Sequence, residues 1–503
     1  MSDIKTVFRD IGAIFILLGF VTLVVLIVPL FFGEYGSESL FDALSPILIT
    51  SFVFFVVGFP LYYFFKKAEP ANFKSAMITA ALGWLIISII GSIPFCLIPY
   101  NTTTLVFMNP LSAFFESMSG WTGTGLTMIE KESLLPYTLQ FWRTIIQWIG
   151  GVGVIVLTLS ILARPGTGSF VLYRGEARDQ KTHPSIVSTV RTIWWIFLLY
   201  TIIGIIVLAI IGIITNDGMN AWQSLNHAMT GLATGGFSVT DDSITSFGII
   251  TQIAVIVLMI FGSIAFVAHY DLLKGRLKKF FSDIQFKAMI AIIILGVVVL
   301  VLLNLKFYGN DFLYSLRQSS FQFISAITCT GFNSVNNLSG WTESTKLILS
   351  FAMVVGGAAG STAGGIKLFR AILLYKGVGW RIKRAISTPR RVFIHKFGEK
   401  TLSKENAMDL INEAAIISFM WILLLATGVL IIATLLPGET LSNIIFEVCS
   451  AQGNVGLSTG ITNIYMSPIA KTMLIFNMWI GRLEIIPIIV LIRSIFGIRR
   501  NII

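Results

Sequence analysis

The 503-residue sequence predicts an all-α polytopic membrane protein: four pseudo-symmetric repeats around one central axis, preceded by two leader spans. Three observations predict it. The chain is 55% hydrophobic and only 12% charged, with a mean hydropathy of +0.84, far from the balance of a soluble domain. Ten apolar stretches are long enough to cross a hydrocarbon core, which takes about 20 residues. A short loop built on one glycine recurs four times between such stretches. Its glycines, Gly125, Gly235, Gly331 and Gly456, lie 110, 96 and 125 residues apart, the interval of an internal repeat.

The first two stretches, 11–32 and 46–65, have no glycine loop behind them and form the leader unit, residues 1–70. The first lies close to Met1, is too long for a signal-peptide core and has no small-residue cleavage site after it, so it is expected to remain as an anchor. The other eight pair as 76–99 with 140–163, 191–214 with 247–272, 286–307 with 345–373, and 410–436 with 470–496. These pairs bound repeats over 71–180, 181–283, 284–385 and 386–503. Inside each pair lies a semi-polar segment too short to span, near 110–122, 220–232, 316–328 and 441–453, which reads as a half-span helix ending at the loop.

The loops read Thr122-Gly123-Thr124-Gly125, Ala233-Thr234-Gly235-Gly236, Thr328-Cys329-Thr330-Gly331 and Gly453-Asn454-Val455-Gly456. One such loop is an ordinary turn, but four between membrane spans predict a pore. Backbone carbonyls of four loops can replace the hydration shell of a cation, and glycine supplies the positive φ that turns successive carbonyls the same way. The expected ion-binding backbone is Thr124, Gly125, Thr234, Gly235, Thr330, Gly331, Val455 and Gly456; Thr122, Gly123, Thr328, Cys329 and Asn454 adjoin it. The half-helix C-terminal ends, each carrying roughly −0.5 of a charge, aim at the axis and favour a cation there. Glu116, Asn226, Gln322 and Glu447 each lie nine residues before the chosen glycine and are expected to hydrogen-bond the loop from behind.

The net charge of +11 is not spread as a nucleic-acid face, and no nucleic-acid partner is expected. Lys66, Lys67 and Lys74 join the second and third spans. Arg164, Arg174, Arg178, Lys181 and Arg191 follow the first repeat, and Lys274, Arg276, Lys278, Lys279 and Lys287 follow the second. Lys376, Arg381, Lys383, Arg384, Arg390, Arg391, Lys396 and Lys400 follow the third, and Arg493, Arg499 and Arg500 close the chain. The opposite loops carry Glu34, Glu38, Asp42, Asp217, Asp241, Asp242, Asp311 and Glu439, expected to draw cations modestly. The positive-inside rule places both termini in the cytoplasm and opens the filter loops to the outside. Cys96, Cys329 and Cys449 have no metal-ligand spacing, and His183, His227, His269 and His395 form no catalytic pattern, so no cofactor and no enzyme activity are expected.

Two intramembrane features stand out beside the loops. Gly356, Gly357, Gly360, Gly364 and Gly365, with Ser361 and Thr362, interrupt the second span of the third repeat. They fit close helix packing and a non-helical segment equally well. Arg482 lies deep in the last span, where a charge costs about 2.5–3.5 kcal/mol and must face the bundle interior or water. Glu484, two residues on, points to nearly the opposite helix face.

Glu116-Ser-Met-Ser-Gly-Trp-Thr-Gly-Thr-Gly125, Ala233-Thr-Gly-Gly-Phe-Ser238, Thr328-Cys-Thr-Gly-Phe332, Gly360-Ser-Thr-Ala-Gly-Gly-Ile-Lys367 and Gly481-Arg-Leu-Glu484 resemble motifs of the Trk/Ktr/HKT superfamily of potassium transporters. The resemblance runs from about residue 75 to the end, and the leader spans make the Trk-type membrane subunit the nearest match. It implies potassium uptake across a prokaryotic plasma membrane, a homodimer of four-repeat pores, and gating by a separate cytosolic nucleotide-binding RCK ring. It also turns Gly356–Gly365 into a gating loop below the filter, with Lys367 at its end and Arg482 as a fixed positive charge in the ion path. A channel-like pore driven by membrane potential is the expected mechanism. K+/H+ or K+/Na+ symport is the alternative, and a non-conducting sensory or scaffold protein a more distant one.

Overall fold

The computed structural model describes residues 2–36, 39–153, 186–388, 394–398 and 400–496. Among these, six helices are long and apolar enough to cross a membrane: Asp3–Phe32, Leu44–Phe65, Phe73–Leu97, Ser188–Ile214, Ile284–Asn304 and Lys404–Leu435. Two bent pairs bring the number to eight when each is taken as one span. Ile249–Ser263 turns into Phe266–Leu273 through 107°, and Pro468–Leu483 turns into Ile486–Ile495 through 113°.

Of the ten spans expected, the second spans of the second and fourth repeats are broken where none was expected, that of the third is interrupted as the gating-loop reading implies, and in the first the helix ends at Gly153. In the first repeat, helix Tyr137–Val152 stops at Gly153, whose φ of +106° no helix accommodates. The rest of the expected 140–163 span lies outside the described residues, as do Arg164, Arg174, Arg178, Lys181, Arg390, Arg391, Arg499 and Arg500. In the third, Glu343–Val355 and Leu368–Ala385 are separated by non-helical backbone. The small-residue rows there are thus not the face of a continuous helix. The breaks after Ser263 and Leu483 carry no run of glycines, and the first is held by contacts from another repeat. The N–H of Phe266 donates to the carbonyl of Gly360, and that of Ala358 to the carbonyl of Ser263, both at 3.0 Å. One antiparallel hairpin, His395–Phe397 with Lys400–Leu402, stands outside the helical scheme.

The leader helices pack closely because small residues face each other: a Cβ on Gly12 would meet the Tyr62 backbone N at 2.5 Å. Phe15 and Phe54 close the same interface edge to face, centroids 5.8 Å apart. Glu34, expected as an outer acid, instead caps the first repeat's second helix. Its carboxylate accepts from the N–H of Tyr137 and Thr138 at 2.7 and 2.9 Å.

Four short helices, Pro110–Thr122, Ala221–Leu232, Phe312–Ile327 and Leu441–Gly453, enter between the members of each pair. Each starts at a side chain that accepts from the N–H three residues on, namely Asn109, Asn220, Asp311 and Thr440. Neighbouring repeats are pinned at one equivalent position, four residues past the N-cap of each second helix. Gln140 Oε1 accepts from Trp222 Nε1 at 2.6 Å, and Gln252 Oε1 from Arg317 Nε at 2.8 Å. Lys346 Nζ donates to Asn443 Oδ1 at 2.7 Å, and Lys471 Nζ to Ser112 Oγ at 2.9 Å. Each bond joins a second helix to the short helix of the next repeat, and the last returns to the first.

Candidate functional site: a ring of four glycine loops

Backbone hydrogen bonds set the register of the loops. The N–H of Thr124, Gly235, Thr330 and Val455 donates to the carbonyl of Ser119, Thr230, Ser325 and Ser450 at 2.9, 2.9, 3.0 and 2.9 Å. One residue on, the N–H of Gly125, Gly331 and Gly456 donates to the hydroxyl of the same Ser119, Ser325 and Ser450 at 3.1, 3.1 and 3.0 Å. In the second loop Thr230 takes the serine's place, so the counterpart of Gly125, Gly331 and Gly456 is Gly236. Their φ values agree: +90°, +74°, +89° and +102° for Gly125, Gly236, Gly331 and Gly456. Gly235, the residue expected there, is the counterpart of Thr124, Thr330 and Val455. The earlier position of positive φ falls on Gly123, Thr234, Cys329 and Asn454.

These loops close on one another. A Cβ on Gly125 would lie 2.2 Å from the Gly235 carbonyl oxygen, and one on Gly236 2.0 Å from that of Thr330. One on Gly331 would lie 2.0 Å from the Val455 oxygen, and one on Gly456 2.5 Å from that of Thr124. Each glycine therefore abuts the equivalent carbonyl of the next loop, and the fourth loop meets the first. No side chain fits at any of the four glycines.

The polar residues behind the loops follow the same register. Glu116 accepts from Thr127 Oγ1 at 2.9 Å and from the N–H of Met128 at 2.8 Å; Glu447 accepts from Ser458 Oγ at 2.8 Å and from the N–H of Thr459 at 2.9 Å. Gln322 Nε2 reaches Ser334 Oγ at 3.4 Å. In the second repeat the equivalent is His227, nine residues before Gly236, with Nε2 2.9 Å from Ser238 Oγ. Asn226 instead faces the first repeat, its Oδ1 accepting from Thr144 Oγ1 at 2.6 Å. The repeated glycine in Gly235-Gly236 hid this offset in the sequence.

Above the ring lies a cavity of about 530 Å³, lined by residues of all four loops together with Glu130, Glu132, Asp241, Asp242 and Arg143. Of the outer acids expected from the sequence, Asp241 and Asp242 reach it. Arg143, Glu130 and Glu132 were not anticipated, since nothing in an isolated span or loop marks them. Arg143 is buried and bonds Glu116 Oε1 through Nε at 2.9 Å and the Ser238 carbonyl through Nη1 at 2.8 Å. Burial pushes the Glu132 carboxyl up to about 7, against the opposing pull of Arg143 and with added repulsion from Glu116 and Asp241.

Below the ring, backbone Gly356–Lys367 crosses against the second and fourth loops. Thr362 Oγ1 donates to the carbonyl of Gly262 at 2.8 Å, and the N–H of Gly365 donates to that of Gly453 at 3.0 Å. Gly364 is so close that a Cβ would fall 2.0 Å from the Gly453 oxygen. Gly357, Gly360 and Ser361 complete the segment, and Lys367 at its end turns Nζ back onto the Ala363 carbonyl. Arg482 donates to the Thr362 carbonyl at 3.2 Å, to Gly151 at 2.8 Å and to Gly150, joining the segment to the C-terminal end of the first repeat's second helix. Its guanidinium carbon lies 5.5 Å from the Trp84 ring centre. Glu484 pairs with Arg370, but not from the opposite helix face expected: the helix ends at Leu483 and Glu484 takes the left-handed φ of +58°.

The arrangement has close relatives. A cation transporter of Methanocaldococcus jannaschii, itself uncharacterized, is 34% identical over 98% of this chain and 96% of its own length. The Trk system potassium uptake protein TrkH of Escherichia coli K12 is 32% identical over 89% of this chain and 91% of its own. The crystal structure of the potassium transporter TrkH from Vibrio parahaemolyticus superposes with a TM-score of 0.80 at 26% identity, covering 98% of this chain and 99% of that one. The family model described as TrkH, cation transport protein, matches residues 43–497. By sequence and by fold this polytopic membrane protein belongs to the TrkH family of cation transport proteins.

Proposed function

We propose that the chain takes up K+ through a gated, channel-like pore driven by the membrane potential. The observation that carries the reading is the closed ring in which Thr124, Gly235, Thr330 and Val455 each set a carbonyl against the glycine of a neighbouring loop. Equivalent carbonyls from four loops at one level are what a desolvated monovalent cation requires. Gly125, Gly236, Gly331 and Gly456 extend the ion-binding backbone by one residue. The two potassium-transporting relatives support K+ as the ion.

In this reading the segment Gly356–Lys367 and Arg482 form the gate, closing the path beneath the ring until both move. An inside-negative potential of about 150 mV supplies roughly 3.5 kcal/mol per monovalent cation, enough for about 300-fold accumulation without a coupled ion. Symport with H+ or Na+ is thus not needed energetically. We place both termini in the cytoplasm, take the working unit as a homodimer, and assign control to a cytosolic nucleotide-binding RCK ring docked on the basic segments near 274–287 and 376–400. Purified protein in liposomes with a K+ gradient tests the core of this: flux should follow the diffusion potential and favour K+ over Na+. Flux that requires a proton or sodium gradient would replace the channel-like mechanism by symport, and the absence of K+ flux in folded protein would overturn the function.

A further inference from the structure

Gln147 is fully buried in the helix Tyr137–Val152, and its side-chain amide grips the second loop on both sides of Gly236. Nε2 donates to the Gly235 carbonyl at 2.7 Å, and Oε1 accepts from the N–H of Phe237 at 3.0 Å. Both ends of the amide are used on filter backbone, in surroundings where an unpaired amide is costly. Counted from the N-caps Pro136, Gly248, Thr342 and Ser467, the same helix position holds Met259, Met353 and Met478, all fully buried. A polar clamp therefore serves one loop where the other repeats pack a thioether.

The carbonyl that Gln147 holds is one of the four that abut a neighbouring glycine. Among the described residues the carbonyls of Thr124, Thr330 and Val455 accept no hydrogen bond. One ligand of the ring is fixed to the scaffold and three are not. A ring of glycine-hinged carbonyls that can contract will accommodate Na+, whose smaller radius needs closer oxygens. A carbonyl tied outward to a rigid helix resists that contraction.

Resting on the K+ filter reading above, we propose that Gln147 is a positioning residue that sets ion selectivity by holding the Gly235 carbonyl away from the axis. Full-length protein in liposomes gives the test, with K+ and Na+ flux measured in parallel. Gln147→Met removes both bonds and installs the residue of the other repeats. Gln147→Glu keeps an acceptor for Phe237 and removes the donor to Gly235. Each should lower the K+/Na+ flux ratio at least fivefold while K+ flux persists. Gln140→Leu, seven residues earlier on the same helix, removes the bond to Trp222 and should lower thermal stability with the ratio unchanged. A wild-type ratio in either folded Gln147 variant would overturn the proposal, as would an equal fall in Gln140→Leu, which would make Gln147 merely structural. Wild-type protein without K+ preference would instead overturn the filter reading itself.

Discussion

The hydroxyl of Thr234 donates to that of Thr362 at 2.9 Å, joining the second glycine loop directly to the segment that crosses beneath it. The single hydroxyl proton of Thr362 is directed at the carbonyl of Gly262 at 2.8 Å, with that of Leu232 at 3.2 Å as the alternative acceptor. Thr362→Val keeps the shape and removes these bonds, at a cost of about 1 kcal/mol each. The segment should open more often, and tracer uptake into liposomes should rise several-fold. Unchanged uptake in folded protein would show that the segment is held elsewhere.

Arg482 is the second restraint on the same segment. If K+ passes about 5 Å away, at an effective dielectric near 20, its charge would oppose the ion by roughly 3 kcal/mol, close to the driving force proposed above. Arg482→Ala should raise basal K+ flux, and shortening 356–365 should do likewise. The combined change should be less than additive because both act on one barrier. Normal insertion with unchanged flux would make Arg482 a scaffold residue that satisfies the carbonyls of Gly150 and Gly151.

The register of the loops separates two adjacent glycines. Gly125→Ser and Gly236→Ser each put a side chain against the carbonyl of the next loop, at a φ that serine adopts poorly. Both should raise Na+ permeation relative to K+. Gly235 does not have a positive φ, but a Cβ there would strike the Gln147 amide at 2.5 Å and displace it from the Gly235 carbonyl. Gly235→Ala should therefore lower the K+/Na+ flux ratio by the route of Gln147→Met, and by no more in the Gln147→Met background. An undiminished further fall in that background would separate Gly235 from the Gln147 clamp.

Glu132 gives the outer cavity a charge that changes near neutrality. Its carboxyl is raised from the ordinary 4.5 to about 7 in the fold, chiefly by burial. The folded state therefore holds a proton that the unfolded chain has lost. Stability contributed by this group is present below the unfolded value and falls as pH rises towards 7, by up to about 1.4 kcal/mol per pH unit. The newly formed carboxylate lines the cavity above the ring, so on the proposed ion path the apparent KM for K+ should fall as external pH rises through 7. Glu132→Gln should flatten both profiles. A KM that keeps its pH dependence in that variant would show that Glu132 is not its source.

Much of this site is legible in the sequence, where local chemistry decides the structure. The four glycine loops and the short semi-polar segments before them stand out locally, whereas the glycines of 356–365 alone suit close packing and a non-helical segment equally. The bend after Ser263 has no such mark, because it is imposed by Gly360 from another repeat. The bend near Glu484 breaks what the sequence reads as one span over 470–496, and Ile485 there takes the unusual φ of +73°. Arg143 and Gln147 were passed over because a polar residue in a span acquires meaning only when its partner, Glu116 or Gly235, is known in space.

The bond between Lys471 and Ser112 spans 359 residues of sequence, and it is the seam at which the four repeats become a ring. The other three seams join neighbours in the chain and can form as synthesis proceeds. This one waits for the last repeat to leave the ribosome and enter the membrane. Until then the first short helix sits in the bilayer with one flank uncovered, and the order of manufacture makes the oldest part of the pore the last to be sealed. A chain ended before Lys471 would thus lack more than its fourth quarter: the first quarter would also remain open, exposing polar backbone that the membrane does not solvate.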